Sequence, residues 1–224
     1  MPKKILLLDG HSLAYRAFYG LPLYDASGKP RFSNGRGEFT NAIFGFASML
    51  FKVWADENPD YIACAFDKGR TFRDDMFAEY KGTRQKMPDE LAGQMPRIVQ
   101  LVEAFGIPAI TAEGYEADDI LGTLAKQASA EGLQTVIVTN DKDLAQLVHD
   151  PDVVMLRVEK NMGETFLDEA GVKAKFGVRA DQIADWLGLM GDAVDCIPGA
   201  PGIGEKGAVG LLEQFDNIEN ALAG

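Results

Sequence analysis

Three short apolar runs, each ending in an aspartate, constrain the fold of this chain more than any other feature. Ile5-Leu6-Leu7-Leu8 runs into Asp9-Gly10, Tyr61 to Phe66 into Asp67, and Thr135-Val136-Ile137-Val138-Thr139 into Asn140-Asp141. Such runs, closed by turn signals, read as strands buried on both faces. A weaker run at Ile107–Thr111 predicts a fourth strand, and helical periodicity falls between the runs at about residues 38–56, 88–105 and 116–131. Strands alternating with helices predict an α/β fold, a mostly parallel sheet flanked by crossover helices. Ligands of open α/β sheets bind beyond the carboxyl ends of the strands, where these aspartates lie. One Asp-Gly is an ordinary turn; three strand-end acids at one edge point to a site.

The rest of the chain departs from this alternation. Residues 70–87 have helical stretches but little apolar periodicity, which predicts a mobile projection outside the core. From Asp168 onward, helices at about 168–176 and 180–190 lead into Ile197-Pro198-Gly199-Ala200-Pro201-Gly202-Ile203-Gly204, followed by a helix over 205–215. This arrangement predicts an α/β core over residues 1–167 and a helical region over 168–224. Glycines let backbone approach a phosphate, and a helix N-terminus offers it free N–H donors. With helices on both sides, the Gly/Pro turn carrying Gly202, Gly204 and Lys206 reads as a helix-hairpin-helix, a sequence-independent grip on duplex backbone.

Acidic residues cluster where that topology would bring them together. Gly114-Tyr115-Glu116-Ala117-Asp118-Asp119 places three carboxylates at a helix start. The helix dipole explains one or two of them, but all three directed into one pocket require a neutralising cation. Asp141-Lys142-Asp143 follows a strand, where it is equally well explained as a helix cap. Asp192 and Asp195, three apart, share a helical face, or else mark a solvated helix end. With Asp9 and Asp67 these make nine candidate metal ligands. All are hard oxygen donors. With no usable cysteine or histidine pair, they point to Mg²⁺ or Mn²⁺ rather than zinc. Two such ions suit in-line phosphodiester hydrolysis. His11 lies near Asp9 but also reads as a turn residue and receives no catalytic role. A phosphatase with an aspartate nucleophile would need Asp-x-Asp on the first strand, and Asp9 is followed by Gly10-His11.

Charge distribution says more than the sum. The net charge of −12 argues against a phosphate-binding surface as a whole. Yet the segment from Lys68 to Lys86 holds six basic residues against three acidic ones. A carboxylate-rich site beside a basic strip results. At 46% hydrophobic and 25% charged residues, the composition excludes a disordered chain. The longest apolar stretch, Ala42 to Ala55, is interrupted by Lys52 and falls short of the ~20 residues a bilayer span needs. Cys64 and Cys196 form neither a zinc site nor a disulfide framework, and no signal-peptide core follows Lys4. A reduced cytoplasmic location is expected.

Seven motifs occur in an order that resembles the 5′-nuclease domains of bacterial DNA polymerase I and, more broadly, the flap endonuclease family. They are Leu8-Asp9-Gly10 with Ala14-Tyr15-Arg16-Ala17-Phe18; Ala65-Phe66-Asp67; Phe72-Arg73 with Tyr80-Lys81-Gly82-Thr83-Arg84; the Gly114 to Asp119 group; Thr139 to Leu144; Gly191-Asp192 to Asp195; and Pro201 to Lys206. The resemblance implies a structure-selective, divalent-metal nuclease that cuts 5′ flaps and acts as a 5′→3′ exonuclease. Its DNA substrates would carry flaps, nicks, gaps or RNA-primed 5′ ends.

The resemblance also assigns roles by residue. One metal would lie among Asp9, Asp67, Glu116, Asp118 and Asp119, the other among Asp141, Asp143, Asp192 and Asp195. Residues 68–96 would form a helical arch over the single-stranded 5′ end. Lys81 and Arg84 would contact the scissile phosphate, and Tyr15 would stack on a base. Read without the resemblance, Tyr15 is a plain core aromatic. Arg16, Arg73 and Tyr80 join the expected DNA contacts, and a potassium ion is expected near Ile203. A monomer with a polymerase domain in cis is implied. The family usually has Asn at the position of Cys196 and a non-glycine residue at Gly207. A catalytically silent DNA-binding module of the same fold is the alternative these departures leave.

Overall fold

The computed structural model describes residues 2–159 and 163–224. Strand β1 (Lys4–Asp9) is followed by helices α1 (Gly10–Gly20) and α2 (Asn41–Glu57), strand β2 (Tyr61–Ala65) and the short helices α3 (Phe72–Met76) and α4 (Asp89–Ala92). Helix α5 (Met95–Ala104), strand β3 (Ala109–Ile110), helix α6 (Ala117–Ala130) and strand β4 (Gln134–Val138) continue the alternation. Strands β5 (Val153–Val158) and β6 (Glu164–Leu167) close the sheet, and helices α7 (Glu169–Phe176), α8 (Ile183–Met190), α9 (Glu205–Phe215) and α10 (Ile218–Ala223) complete the chain.

The six strands are ordered β3-β2-β1-β4-β5-β6, parallel except for β6, which runs antiparallel to β5. The expected parallel α/β sheet is present, with two strands more than the apolar runs predict. β5 contains Arg157, and three of the four residues of β6 are partly or fully exposed, so neither presents a continuous apolar run. Leu6, Leu7 and Leu8 are wholly buried. Leu6 and Leu8 pack with α1, α2 and α5, whereas Leu7 packs with α6 on the opposite face, as the two-residue period of a strand requires. Residues on the far side of β5 and β6, Met155 and Leu167 among them, pack with α7, α8 and α9.

The helix expected over 88–105 is two helices. Pro96, in the first turn of α5, has no N–H to give and would clash with the carbonyl of Ala92 if one helix ran through. The junction is useful: Gln94, only 2% exposed, accepts from the backbone N–H groups of Ala42 and Ile43 at 2.9 and 3.2 Å and donates to the side chain of Asn41 at 2.9 Å. That network caps α2 from a distance.

The segment over 70–87 is not a free projection. Tyr80 and Lys81 turn back over the carboxyl edge of the sheet to Glu116, and the Lys81 N–H donates to the Asp195 carbonyl at 3.1 Å. Leu91, inside the expected arch, is fully buried. Apolar periodicity missed this packing because polar contacts to the cleft hold the segment down.

Candidate active site

Parallel register gathers the strand-end acids. Asp9 pairs with Ala65, two residues before Asp67, and Leu8 pairs with Val138, three before Asp141. Asp9, 5% exposed, caps α1 by accepting from the Ser12 N–H at 3.0 Å and accepts from the Thr139 hydroxyl at 2.7 Å. Gly10 has to be glycine here: a Cβ would overlap the buried Phe66 ring. Asp67 accepts from the Ala117 N–H at 2.7 Å and so fixes the start of α6, which carries the next acids. Asn140 is a hub: its N–H donates to Ser12 Oγ, its amide pairs with both backbone groups of Val158, and its carbonyl accepts from Arg157.

The loop carrying Asp192 and Asp195 is closed by two glycines in backbone contact. Gly191 takes φ +80°, and a Cβ there would lie 2.5 Å from the Gly199 nitrogen. Asp192 Oδ1 accepts from the Val194 N–H at 2.9 Å, and Cys196 turns the chain at φ +59°. The left-handed region is one that Asn enters more readily than other non-glycine residues.

These segments border one open cleft of about 980 Å³. Eight of the nine predicted carboxylates line it: Asp9, Asp67, Glu116, Asp118, Asp141, Asp143, Asp192 and Asp195. Lys81, Arg84, Tyr15 and Arg16 line it as well. Asp119 does not. Successive helical residues point about 100° apart, so Asp118 faces the cleft and Asp119 turns away. Its carboxylate takes a two-pronged contact from Arg73 at 2.7 and 2.8 Å and accepts from the Glu116 N–H. Arg73 is therefore held beside the cleft. Tyr80 also stands behind the wall, its hydroxyl donating to Glu116 at 3.1 Å. Gly202, Gly204 and Lys206 lie on the hairpin, away from the cleft lining. A Cβ at Gly202 or Gly204 would meet nothing within 4 Å, whereas one at Gly207 would touch Ile203 at an ordinary 3.5 Å.

Sequence reasoning missed several cleft residues: Ser12, Tyr19, Asn140, Lys142, Arg157 and Lys175. Lys142, between two predicted acids, was the most legible of them. His11 also lines the cleft, accepting from the Asp67 N–H at Nδ1, 3.2 Å away. Burial lowers its pKa, and Arg84 adds to that against the pull of Asp67.

Electrostatics divides the cleft. Burial, with Asp9, Asp141 and Asp67 adding repulsion, raises Asp118 to about 8. Burial likewise raises Asp9 and Asp143 to about 6. Across the cleft, Lys81 donates to Glu116 at 2.8 Å and lies 4.0 Å from Asp195, and Lys142 pairs with Asp192 at 2.8 Å. Burial works to raise Asp192, yet the bonds from Lys142 and Val194 hold it below the usual carboxylate value.

A hard divalent cation fits the donors present. They are oxygens, and the buried Oδ1 of Asp143 has no hydrogen-bond partner. Among the described residues no three carboxylate, imidazole or thiol groups lie close enough together to hold a metal ion as they stand, so binding would require the carboxylates to draw in around it.

A carboxylate-lined cleft at the carboxyl edge of a parallel sheet, with Lys81 and Arg84 in its lining, is the arrangement of an α/β protein suited to phosphodiester chemistry. The chain belongs to the 5′–3′ exonuclease family: residues 4–177 match its N-terminal resolvase-like domain and residues 178–224 its C-terminal SAM fold. The chain is 48% identical to DNA polymerase I of Bacillus subtilis over 221 residues, 98% of this chain and 24% of that one. It is 49% identical to DNA polymerase I of Chloroflexus aurantiacus over 221 residues, 97% of this chain and 23% of that one. The chain thus spans about a quarter of the length of these relatives. Among solved structures, the T5 5′-exonuclease with bound zinc superposes with a TM-score of 0.80 at 20% identity, over 99% of this chain and 79% of that one. The catalytic core of Rad2 bound to DNA superposes at 0.60 and 19% identity, over 98% and 64%.

Proposed function

We propose that this chain is a structure-selective 5′ nuclease, cutting 5′ flaps and acting as a 5′→3′ exonuclease in primer removal and repair. The reading adds a polymerase domain in cis, a monomer, a cytoplasmic location, and a division near residue 168 between catalytic core and DNA-gripping helices. One observation carries it: eight carboxylates from five chain segments meet in a single cleft that also holds Lys81 and Arg84.

Asp9, Asp67, Glu116 and Asp118 would hold one Mg²⁺ or Mn²⁺, and Asp141, Asp143, Asp192 and Asp195 a second. Bound there, the pair would activate water and stabilise the charge developing on the phosphate. Asp119 is left out, as a support for Arg73. Lys81 and Arg84 would take the scissile phosphate, offsetting transition-state charge in a partly dry site. Lys81 must then release Glu116, to which it now donates. Tyr15, half-exposed on α1 and stacked near-parallel on Tyr19 at 6.3 Å, offers a sequence-tolerant surface for a base. The open faces of Gly202 and Gly204 leave the start of α9 clear for duplex phosphate, with Lys206 beside it and potassium near Ile203.

The test is cleavage of a 5′-labelled flap duplex beside a matched blunt duplex, with Mg²⁺ and with EDTA. Metal-dependent release of the flap near the junction is expected. A flap that is bound but never cut would leave only a binding module.

A further inference from the structure

We propose that Phe72 and Tyr115 form a base-stacking platform just outside the cleft, which receives the single-stranded 5′ segment of the substrate. The inference rests on the nuclease reading and adds to it a place for the strand that leaves the cleft.

Both rings are exposed, Phe72 by 40% and Tyr115 by 53%, and Met76, one helical turn beyond Phe72, is 79% exposed. The rings meet edge to face, with centroids 5.7 Å apart at 61°. Their backbones are tied together: the Phe72 N–H donates to the Gly114 carbonyl at 3.0 Å, and Thr71 bridges Gly114. Gly114 takes φ +80°, a conformation in which an L side chain is strained. Thr71 is itself fixed by its N–H bond to Asp74 at 2.7 Å. Two exposed aromatic rings are thus fixed at the surface by a stiff backbone.

The cation beside them joins the pair to the cleft. The Arg73 guanidinium lies 4.6 Å from the centre of the Phe72 ring, forks onto Asp119 and comes within 3.9 Å of Glu116, which lines the cleft. A strand passing Lys81 and Arg73 on its way out meets the platform next. The two acids of α3 are already engaged, Asp74 with Thr71 and Asp75 with Arg70 at 3.3 Å. Flat rings interleaved with arginines suit stacked bases and their phosphates.

The test compares wild type with Tyr115→Ala, Tyr115→Leu and Tyr115→Phe on three Mg²⁺-dependent flap substrates: a long flap, the same flap with abasic sites, and a flap of one nucleotide. Tyr115→Ala and Tyr115→Leu should lose roughly tenfold in kcat/KM on the base-bearing long flap, about what loss of one base stack produces. Tyr115→Phe should match wild type, and all variants should cut the abasic and one-nucleotide flaps alike. Equal losses on base-bearing and abasic flaps, or no loss on any, would overturn the platform. Wild-type failure on every flap would sink the nuclease reading instead. In that case quenching of 2-aminopurine in an EDTA-bound flap, lost in Tyr115→Ala, reads the platform separately; bound flap with no quenching overturns it.

Discussion

Within the cleft, Asp9, Asp118 and Asp143 have no lysine, arginine or histidine as an ion-pair partner among the described residues. Burial and mutual repulsion push all three carboxyls upward. By contrast, Glu116 and Asp192 are paired with Lys81 and Lys142, and Asp119, just outside, with Arg73. The same residue type is therefore left needing an outside cation in one set and supplied with the protein's own cations in the other. Under the proposed function both kinds of carboxylate would take part in each metal site: the unpaired ones need an outside cation, and Glu116 and Asp192 must first release Lys81 and Lys142, which phosphate can then take over.

The largest effect should come from the unpaired carboxylates. Asp118→Ala and Asp141→Asn should lower flap cleavage by about a thousandfold or more, the scale of removing a central transition-state stabiliser, while flap binding persists in a gel-shift assay. Cutting at wild-type rate would break the assignment. Next, Gly191→Ala should cost at least about 3 kcal/mol, because its Cβ would meet backbone at 2.5 Å at a positive φ. Chemical denaturation checks this, and refolded protein should have lost metal response at the Asp192–Asp195 side.

The third prediction uses pH. In EDTA, the raised folded value of Asp118, about 8, lies above the unfolded value near 4. A carboxyl shifted in that direction contributes stability below about pH 4 that is lost as pH rises through 8. The melting temperature of wild type should therefore fall relative to Asp118→Asn between pH 5 and 8. Millimolar Mg²⁺ should raise the wild-type melt at pH 8 by mass action, about 2.7 kcal/mol at a hundredfold excess over Kd. Melts unchanged by metal would count against the unpaired carboxylates as a cation site. The paired carboxylates have the opposite sign: Asp119, held down by Arg73, loses its contribution only as pH falls below about 4.

Arg73→Ala should cost about 1.5–2 kcal/mol, since it removes a forked, charge-assisted contact and frees a half-buried carboxylate. A thermal melt checks it. The smallest effect should be a gain. Cys196→Asn should stabilise by a few tenths of a kcal/mol to about 1 kcal/mol by relieving the left-handed turn at φ +59°. Loss of the Thr83 hydroxyl contact to the Cys196 sulfur at 3.0 Å offsets part of it. Denaturation midpoints decide the sign.

The parallel core was legible because burial on both faces writes continuous apolar runs into β1, β2 and β4. β5 and β6 were not, since Arg157 and the exposed residues of β6 break that signal. Six of the acids were legible for a related reason: a residue just past a parallel strand, or at a helix start beside it, has little choice of direction; Asp192 and Asp195 reach the cleft from the loop after α8 and not from the shared helical face their spacing predicts. Asp119 misled because composition counts three acids where helical phase lets only some face inward. Lys142 and Arg157 were hidden because their partners, Asp192 and the Asn140 carbonyl, lie 50 and 17 residues away in the chain.

The sequence by itself determined the parallel core strands, their acidic ends and the Gly/Pro turn, because hydrophobic period, turn chemistry and helix starts are local properties. Only the tertiary structure decided which carboxylates are neutralised and which are not. Ion pairs such as Arg73–Asp119 and Lys81–Glu116 join residues 46 and 35 positions apart, and such pairings exist only once the chain has folded.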